Sequence, residues 1–352
     1  MSSAIHRPTI FRVSSSVKRT AASGRFLFLL AISFFIGEGA SAVTPGASIH
    51  EESLHSFTEE SYRTAVENLF LAFEEEQKKV LEPGEKGKVG LKISTISGPG
   101  LSTPQPLVRA VISSLVSRGF DRRDLFLIDL NEHRLRRSGF LPPLGVGERE
   151  FEGHPVYVLE SGDFYDPIWF YDSPLPPRRG SVDIEYNFGE FRFERSEESR
   201  RSYLPVPLML EVDFWINLPT YTDHPALGVN GALVNATLWN ASNTSRFAHS
   251  ERSGAAAVAE MAAIPELEEK WLFSIVSLER FQVAGGPAFR SYYTDSQPAI
   301  LLSADPVALD SRMYRKINEG RERRGLSKLT NGGNLLEYAN QLNLGEIEEE
   351  KE

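Results

Sequence analysis

The chain has 352 residues, of which 41% are hydrophobic and 24% charged, a globular composition that can bury a sizeable core in one large domain or two small ones. A formal net charge of -10 argues against nucleic acid as a partner, because phosphate-backbone binding needs clustered Lys and Arg to displace counterions. There is no cysteine, which excludes disulfides, cysteine nucleophiles, thiolate zinc sites and a cysteine-held iron–sulfur cluster, so any divalent metal would take oxygen and nitrogen ligands from His, Asp, Glu or Asn.

Residues 1–42 read as an export leader. Arg7, Arg12, Lys18, Arg19 and Arg25 precede the apolar run Phe26 to Ile36, and Ala40-Ser41-Ala42 supplies the small residues of a cleavage site. The run is shorter than the ~20 apolar residues of a membrane span. Cleavage after Ala42 and a periplasmic or extracellular location are expected, with no stable span afterwards; an uncleaved N-terminal anchor is the alternative.

Residues 43–87 form a helical lead-in, with Thr58 as N-cap, Glu59 and Glu60 in the first turn, and Val66, Leu69, Phe70 and Phe73 on one face. A first strand follows at Val89 to Ile93. The turn-rich segment Ser97 to Pro104 then opens a helix that runs to Gly119, with Thr103 able to cap it and Pro104 at its first position. The strand Leu125 to Ile128 is apolar throughout, as in a parallel sheet covered on both faces, and ends at Asp129.

The rhythm breaks over about 140–207, where prolines (Pro142-Pro143, Pro174, Pro176-Pro177) and the alternations Val156 to Leu159 and Val182 to Phe193 predict an inserted antiparallel hairpin region. A strand at Val212 to Leu218, a helix around Gly228 to Trp239, an alanine-rich helix at Gly254 to Ala263 and strands at Trp271 to Val276 and Ala299 to Leu302 follow. Asp305 and Pro306 open a further helix, and 331–352 form a C-terminal helix with an acidic tail. The fold class expected is α/β: a mainly parallel sheet flanked by helices, whose ligands sit beyond the carboxyl ends of the strands.

Three segments carry a family resemblance. They are Val89-Gly90-Leu91-Lys92 with Gly98 to Thr103; Asp213 through Ile216-Asn217-Leu218-Pro219, Asp223-His224-Pro225, Gly228-Val229, Gly231-Ala232-Leu233 and Asn235 to Ser245-Arg246-Phe247; and Gly285-Gly286-Pro287 with Ser303 to Asp310. In order and spacing they resemble the domain-of-unknown-function family 362 over about 88–330, and this family implies no general activity. The resemblance also implies lysines just before the Asp-His pair and the asparagine, and an aspartate after the strand ending at Val276. Here those positions hold Thr222, Val234 and Ser277. Some relatives append cysteine-rich ferredoxin modules, which this sequence does not show, so an electron-transfer role is not expected.

Asp223 and His224, just past a strand end, have the groups for an acid/base pair, and with Asp305 for a divalent metal. Their structural alternative is a turn cap beside a buried polar residue, and Asp305 is explained equally by helix capping. Ser97, Thr103, Asp129, Asn235, Arg246 and His249 complete a candidate ligand-binding set at the sheet edge. Asn235, Asn240 and Asn243 each begin an Asn-x-Ser/Thr sequon, and Trp169, Trp215 and Trp239 are expected in the core. Two functions fit: an exported protein that binds a small polar molecule, as a binder or as a metal-assisted enzyme, and a non-catalytic envelope protein of binding or structural role.

Overall fold

The computed structural model describes residues 46–173 and 200–348. The leader, Pro174, Pro176-Pro177, the alternation Val182 to Phe193 and the tail after Glu348 lie outside the described residues.

The chain begins with β1 (His50–Ser53), α1 (Glu59–Gln77), β2 (Val89–Ile93), α2 (Gln105–Ser117), β3 (Leu125–Asp129) and α3 (Glu132–Arg137). It continues with β4 (Glu150–Phe151), β5 (His154–Val158), β6 (Tyr165–Asp172), β7 (Arg201–Pro205), α4 (Val206–Leu210), β8 (Phe214–Leu218), β9 (Thr222–His224) and β10 (Gly228–Asn230). Then come α5 (Ala232–Ala236), α6 (Glu251–Ala262), α7 (Pro265–Glu268), β11 (Trp271–Ser277), β12 (Phe281–Gln282), β13 (Thr294–Asp295), β14 (Ala299–Ser303), α8 (Pro306–Arg323) and α9 (Gly332–Gln341).

The main sheet has the order β1-β14-β11-β8-β2-β3-β5-β4. Its central strands β11, β8, β2, β3 and β5 pair in parallel, while β1, β14 and β4 add antiparallel edges. The α/β class is as the sequence implies. Strands β2, β3 and β8 are buried at every position, because helices cover both faces. On one face Leu91, Ile93, Leu127 and Ile216 pack against the apolar stripes of α1 and α2, where Phe70 and Phe73 meet Phe273 edge-on. On the other, Phe126, Trp215 and Leu301 pack under α5, α6, α8 and α9. Trp215 stacks on Trp271 at 5.1 Å and gives its indole N–H to Leu267 O.

Several elements differ from expectation. Strand β5 forms a short hairpin with β4, and on its other side joins the main sheet in parallel beside β3, because its alternating residues His154, Val156 and Val158 bury one face there. The inserted antiparallel pair is β6 with β7. The stretch expected as one helix from Gly228 to Trp239 is β10 followed by the single turn of α5; Gly228 and Gly231 break it, and β10 pairs with β9 in a small second sheet, β10-β9-β12-β13. The lead-in contributes an edge strand to the main sheet as well as a helix. Among the described residues no helix is long and apolar enough to cross a membrane.

Candidate functional site at the carboxyl edge of the sheet

A buried polar row crosses the sheet where hydrophobic side chains would be expected. In register, Lys92 of β2 lies beside Asn217 of β8, which lies beside Ser274 of β11, which lies beside Ser303 of β14. All are buried, and such groups are tolerated only when partnered. Lys92 Nζ donates to Asp129 Oδ1 at 2.7 Å, Ile93 O at 2.7 Å and Asn235 Oδ1 at 3.2 Å, which uses all three of its protons. Asn235 Nδ2 donates to Asn217 Oδ1, and Asn217 Nδ2 donates to Ala232 O and Ser274 Oγ. The other Asp129 oxygen accepts from the backbone N–H and hydroxyl of Thr95. Burial pushes the Lys92 ammonium down, and the Asp129 carboxylate opposes that shift.

This network fixes the loop after β2. Ser94 N donates to Thr103 Oγ1, Thr103 Oγ1 donates to Leu218 O, and the hydroxyls of Ser94 and Thr220 are 3.1 Å apart. Thr103 is therefore not the helix cap: its hydroxyl ties the loop to β8, and Pro104 takes the N-cap position. Between this loop and the chain leaving β11 lies a cavity of about 330 Å³, bounded by Thr103, Gln105, Thr220, Ser277, Glu279 and Arg280, with Arg109 at its side. Ser277 Oγ is 2.6 Å from Tyr62 Oη, which donates to Glu279 Oε2 at 2.8 Å. The cavity sits at the carboxyl ends of β2, β8 and β11, where open α/β sheets hold ligands.

The remaining sequence candidates are placed as follows. Asp129 and Asn235 meet through Lys92. Ser97, in the loop over Asp129, is 6% exposed, and its hydroxyl has no hydrogen-bond partner among the described residues. Asp223 and His224 lie in β9, in the second sheet. The Asp223 carboxylate accepts from Gly285 N at 3.1 Å and Gly286 N at 2.7 Å, with Arg321 Nη1 3.7 Å away, and burial raises its pKa. His224 Nδ1 accepts from the N–H groups of Ala226 and Leu227, so the neutral ring carries its proton on Nε2. Burial first, and His249 second, lower its pKa to about 4. His249 itself is exposed. Arg246 donates to Arg200 O and Ser202 Oγ and lies over the Phe247 ring, stapling β7 to the helical layer.

Asp305 does not share this edge. Strand β14 runs antiparallel to β11, so its carboxyl end faces the opposite way. Asp305 Oδ1 caps α8 through Ala308 N, and Oδ2 accepts from Gly46 N and Glu346 N. Among the described residues no three His, Asp or Glu side chains group closely enough to hold a metal ion. Thr222 donates to Asp223 O, and Val234 is wholly in the core. Of the sequon asparagines, Asn235 and Asn240 are buried.

Sequence reasoning missed Lys92, Tyr62, Glu279 and Arg280 as site residues. The signal for Lys92 was present: a lysine inside a strand buried on both faces demands a counter-charge. Asp310 is fully buried; it accepts from Tyr221 Oη, Ala232 N and Leu233 N, and burial raises its pKa to about 6.

Residues 190–315 match the model of a family described as a domain of unknown function, DUF362. Two of the three segments noted in the sequence fall inside that range, while Val89 to Thr103 lies outside it. Among solved structures, a protein from Thermotoga maritima is similar at 11% identity and a TM-score of 0.38, over 78% of this chain and 61% of that one. No curated protein matches.

Proposed function

We propose that this chain, whose residues 190–315 match the DUF362 family model, is an exported protein that holds a small polar molecule in the cavity at the carboxyl edge of its sheet. The observation that carries the reading is the cavity itself: about 330 Å³, lined by Thr103, Thr220, Ser277, Glu279 and Arg280 among others. Small-molecule sites are concave, preformed and furnished with a few fixed polar groups, and here Thr103 is bonded to Leu218 O, Thr220 to Ser94, Glu279 to Tyr62 and Arg280 to Gly100 O. Binding is preferred over acid/base or metal-assisted chemistry because Asp223, His224 and Asp305 spend their acceptors on backbone N–H groups. Export rests on the basic, apolar and small-residue order of residues 1–42.

A ligand that binds only the folded state raises its apparent stability, so thermal denaturation of the mature chain in a screen of small acids, sugars and polyols tests the binding. A saturable rise in Tm that disappears when Ser102→Trp fills the cavity is expected. A screen without any response, or a response unchanged in Ser102→Trp, overturns the reading. N-terminal sequencing of the protein from its native compartment is expected to begin at Val43; a soluble cytoplasmic product retaining residues 1–42 overturns export.

A further inference from the structure

Resting on that reading of the cavity, we propose that its ligand is a small monocarboxylic acid that also bears a hydroxyl or amino donor, with the carboxylate on Arg280 and the donor on Glu279. Two arginines border the cavity, and they differ in kind. Arg109 is neutralised, with Nη1 2.7 Å from Glu59 and Nη2 2.7 Å from Glu152. Arg280 has a single protein bond, from Nη1 to Gly100 O at 2.6 Å, and among the described residues no carboxylate lies within ion-pair distance of it. That one bond fixes the guanidinium on the cavity loop and leaves most of its five donors open in a planar fork, the geometry that takes a carboxylate in two parallel bonds.

Glu279, next in the chain, sets the rest of the ligand. Its Oε2 accepts from the buried Tyr62 hydroxyl, which holds the carboxylate in the cavity wall. Its Oε1 has no protein donor among the described residues. A carboxylate in the wall repels a dianion and asks its occupant for a hydroxyl or ammonium donor. A cavity of about 330 Å³ is near the lower end for small-molecule sites, which limits the acid to a small one.

The test follows thermal stability of the mature chain with glycerate against glycerol, gluconate against sorbitol, and inorganic phosphate, in the parent and in Arg280→Gln, Arg280→Lys and Glu279→Gln. At least one of the two acids is expected to raise Tm saturably while its polyol counterpart and phosphate do not. Apparent affinity should fall about tenfold or more in Arg280→Gln, the loss of a charge-assisted pair, and fall less in Arg280→Lys. Glu279→Gln should weaken binding of the hydroxy acid and relieve discrimination against phosphate. Equal responses to acids and polyols that survive Arg280→Gln overturn the acid assignment and leave the cavity reading standing. A response to phosphate alone overturns the donor requirement, and no response to any probe overturns both.

Discussion

Lys92 Nζ lies 2.7 Å from Asp129 Oδ1, one strand apart in the parallel sheet, with side-chain exposures of 0% and 4%. Breaking a buried pair from one side leaves an uncompensated charge and costs about 3–5 kcal/mol, whereas replacing both partners with apolar groups of similar volume can be neutral. Lys92→Met and Asp129→Asn are each expected to lower unfolding free energy in urea by about that much. The double variant Lys92→Met with Asp129→Asn should lose less than the sum of these two single changes. Additive losses would mean that the two groups do not interact.

Two buried groups titrate in the same window with opposite signs. His224 has its pKa lowered from 6.5 to about 4, so between those values the unfolded chain binds the extra proton and stability falls as pH falls. Asp310 has its pKa raised from 3.8 to about 6, so there the folded chain binds the extra proton and stability rises as pH falls. Each effect is about 3 kcal/mol, and they largely offset each other. Asp223 and Asp305, also raised by burial, act in the direction of Asp310. His224→Asn, which retains an acceptor for Ala226 N and Leu227 N, should therefore gain stability relative to the parent between pH 7 and pH 4.5. Asp310→Asn should lose stability relative to the parent over the same interval. Denaturant midpoints at the two pH values check this; parallel pH profiles for both variants and the parent would refute it.

Much of the sheet is legible in the sequence, because strands covered on both faces leave uninterrupted apolar runs at Leu125 to Ile128 and Ala299 to Leu302. Their direction is not. Nothing in Ala299 to Ser303 says that β14 runs against β11, since the connection through β12 and β13 sets that orientation, and Asp305 moves to the opposite edge as a consequence. The site was partly legible: Asp129, Thr103 and Asn235 stand at strand or helix ends, where edge residues are expected. Lys92 left a signal, as a lysine inside an apolar strand, but its partners did not, and Glu279-Arg280 follows β11 in a loop with no sequence signal. Tyr62 reaches Ser277 and Glu279 from a helix more than two hundred residues away, a contact that only the folded chain creates.

The Gly285-Gly286 turn is clasped by Asp223, and its second glycine has no room for a side chain. A Cβ at Gly286 would stand 2.1 Å from Asp223 O and 2.6 Å from Thr222 Oγ1, so Gly286→Ala must displace β9 or break the clasp. A loss of about 1–3 kcal/mol is expected from overpacking of this kind. Gly333→Ala, inside α9 and with nothing nearer than 3.8 Å, is the control and should be stabilising by about 0.5–1 kcal/mol. Calorimetry of the two variants decides it; equal Tm values would show that the turn yields freely.

Asp305 joins the two ends of the described chain to the sheet. Its Oδ1 caps α8 through Ala308 N, and its Oδ2 accepts from Gly46 N, 259 residues away in sequence, and from Glu346 N. Removing the carboxylate costs the helix cap, about 0.5–2 kcal/mol, and also releases two backbone donors that then need water. Asp305→Ala should therefore destabilise the fold and selectively speed hydrogen exchange at Gly46 and Glu346, because these amides lose their acceptor. Amides of β2 and β3 at the far side of the sheet should slow or quicken only with global stability. Asp305→Asn keeps one acceptor oxygen, so the cap at Ala308 should survive with partial loss at the chain ends. The cavity response to small acids should remain in both variants, because Asp305 faces the other edge of the sheet. Loss of that response without global unfolding would return Asp305 to the binding site and contradict the antiparallel placement of β14.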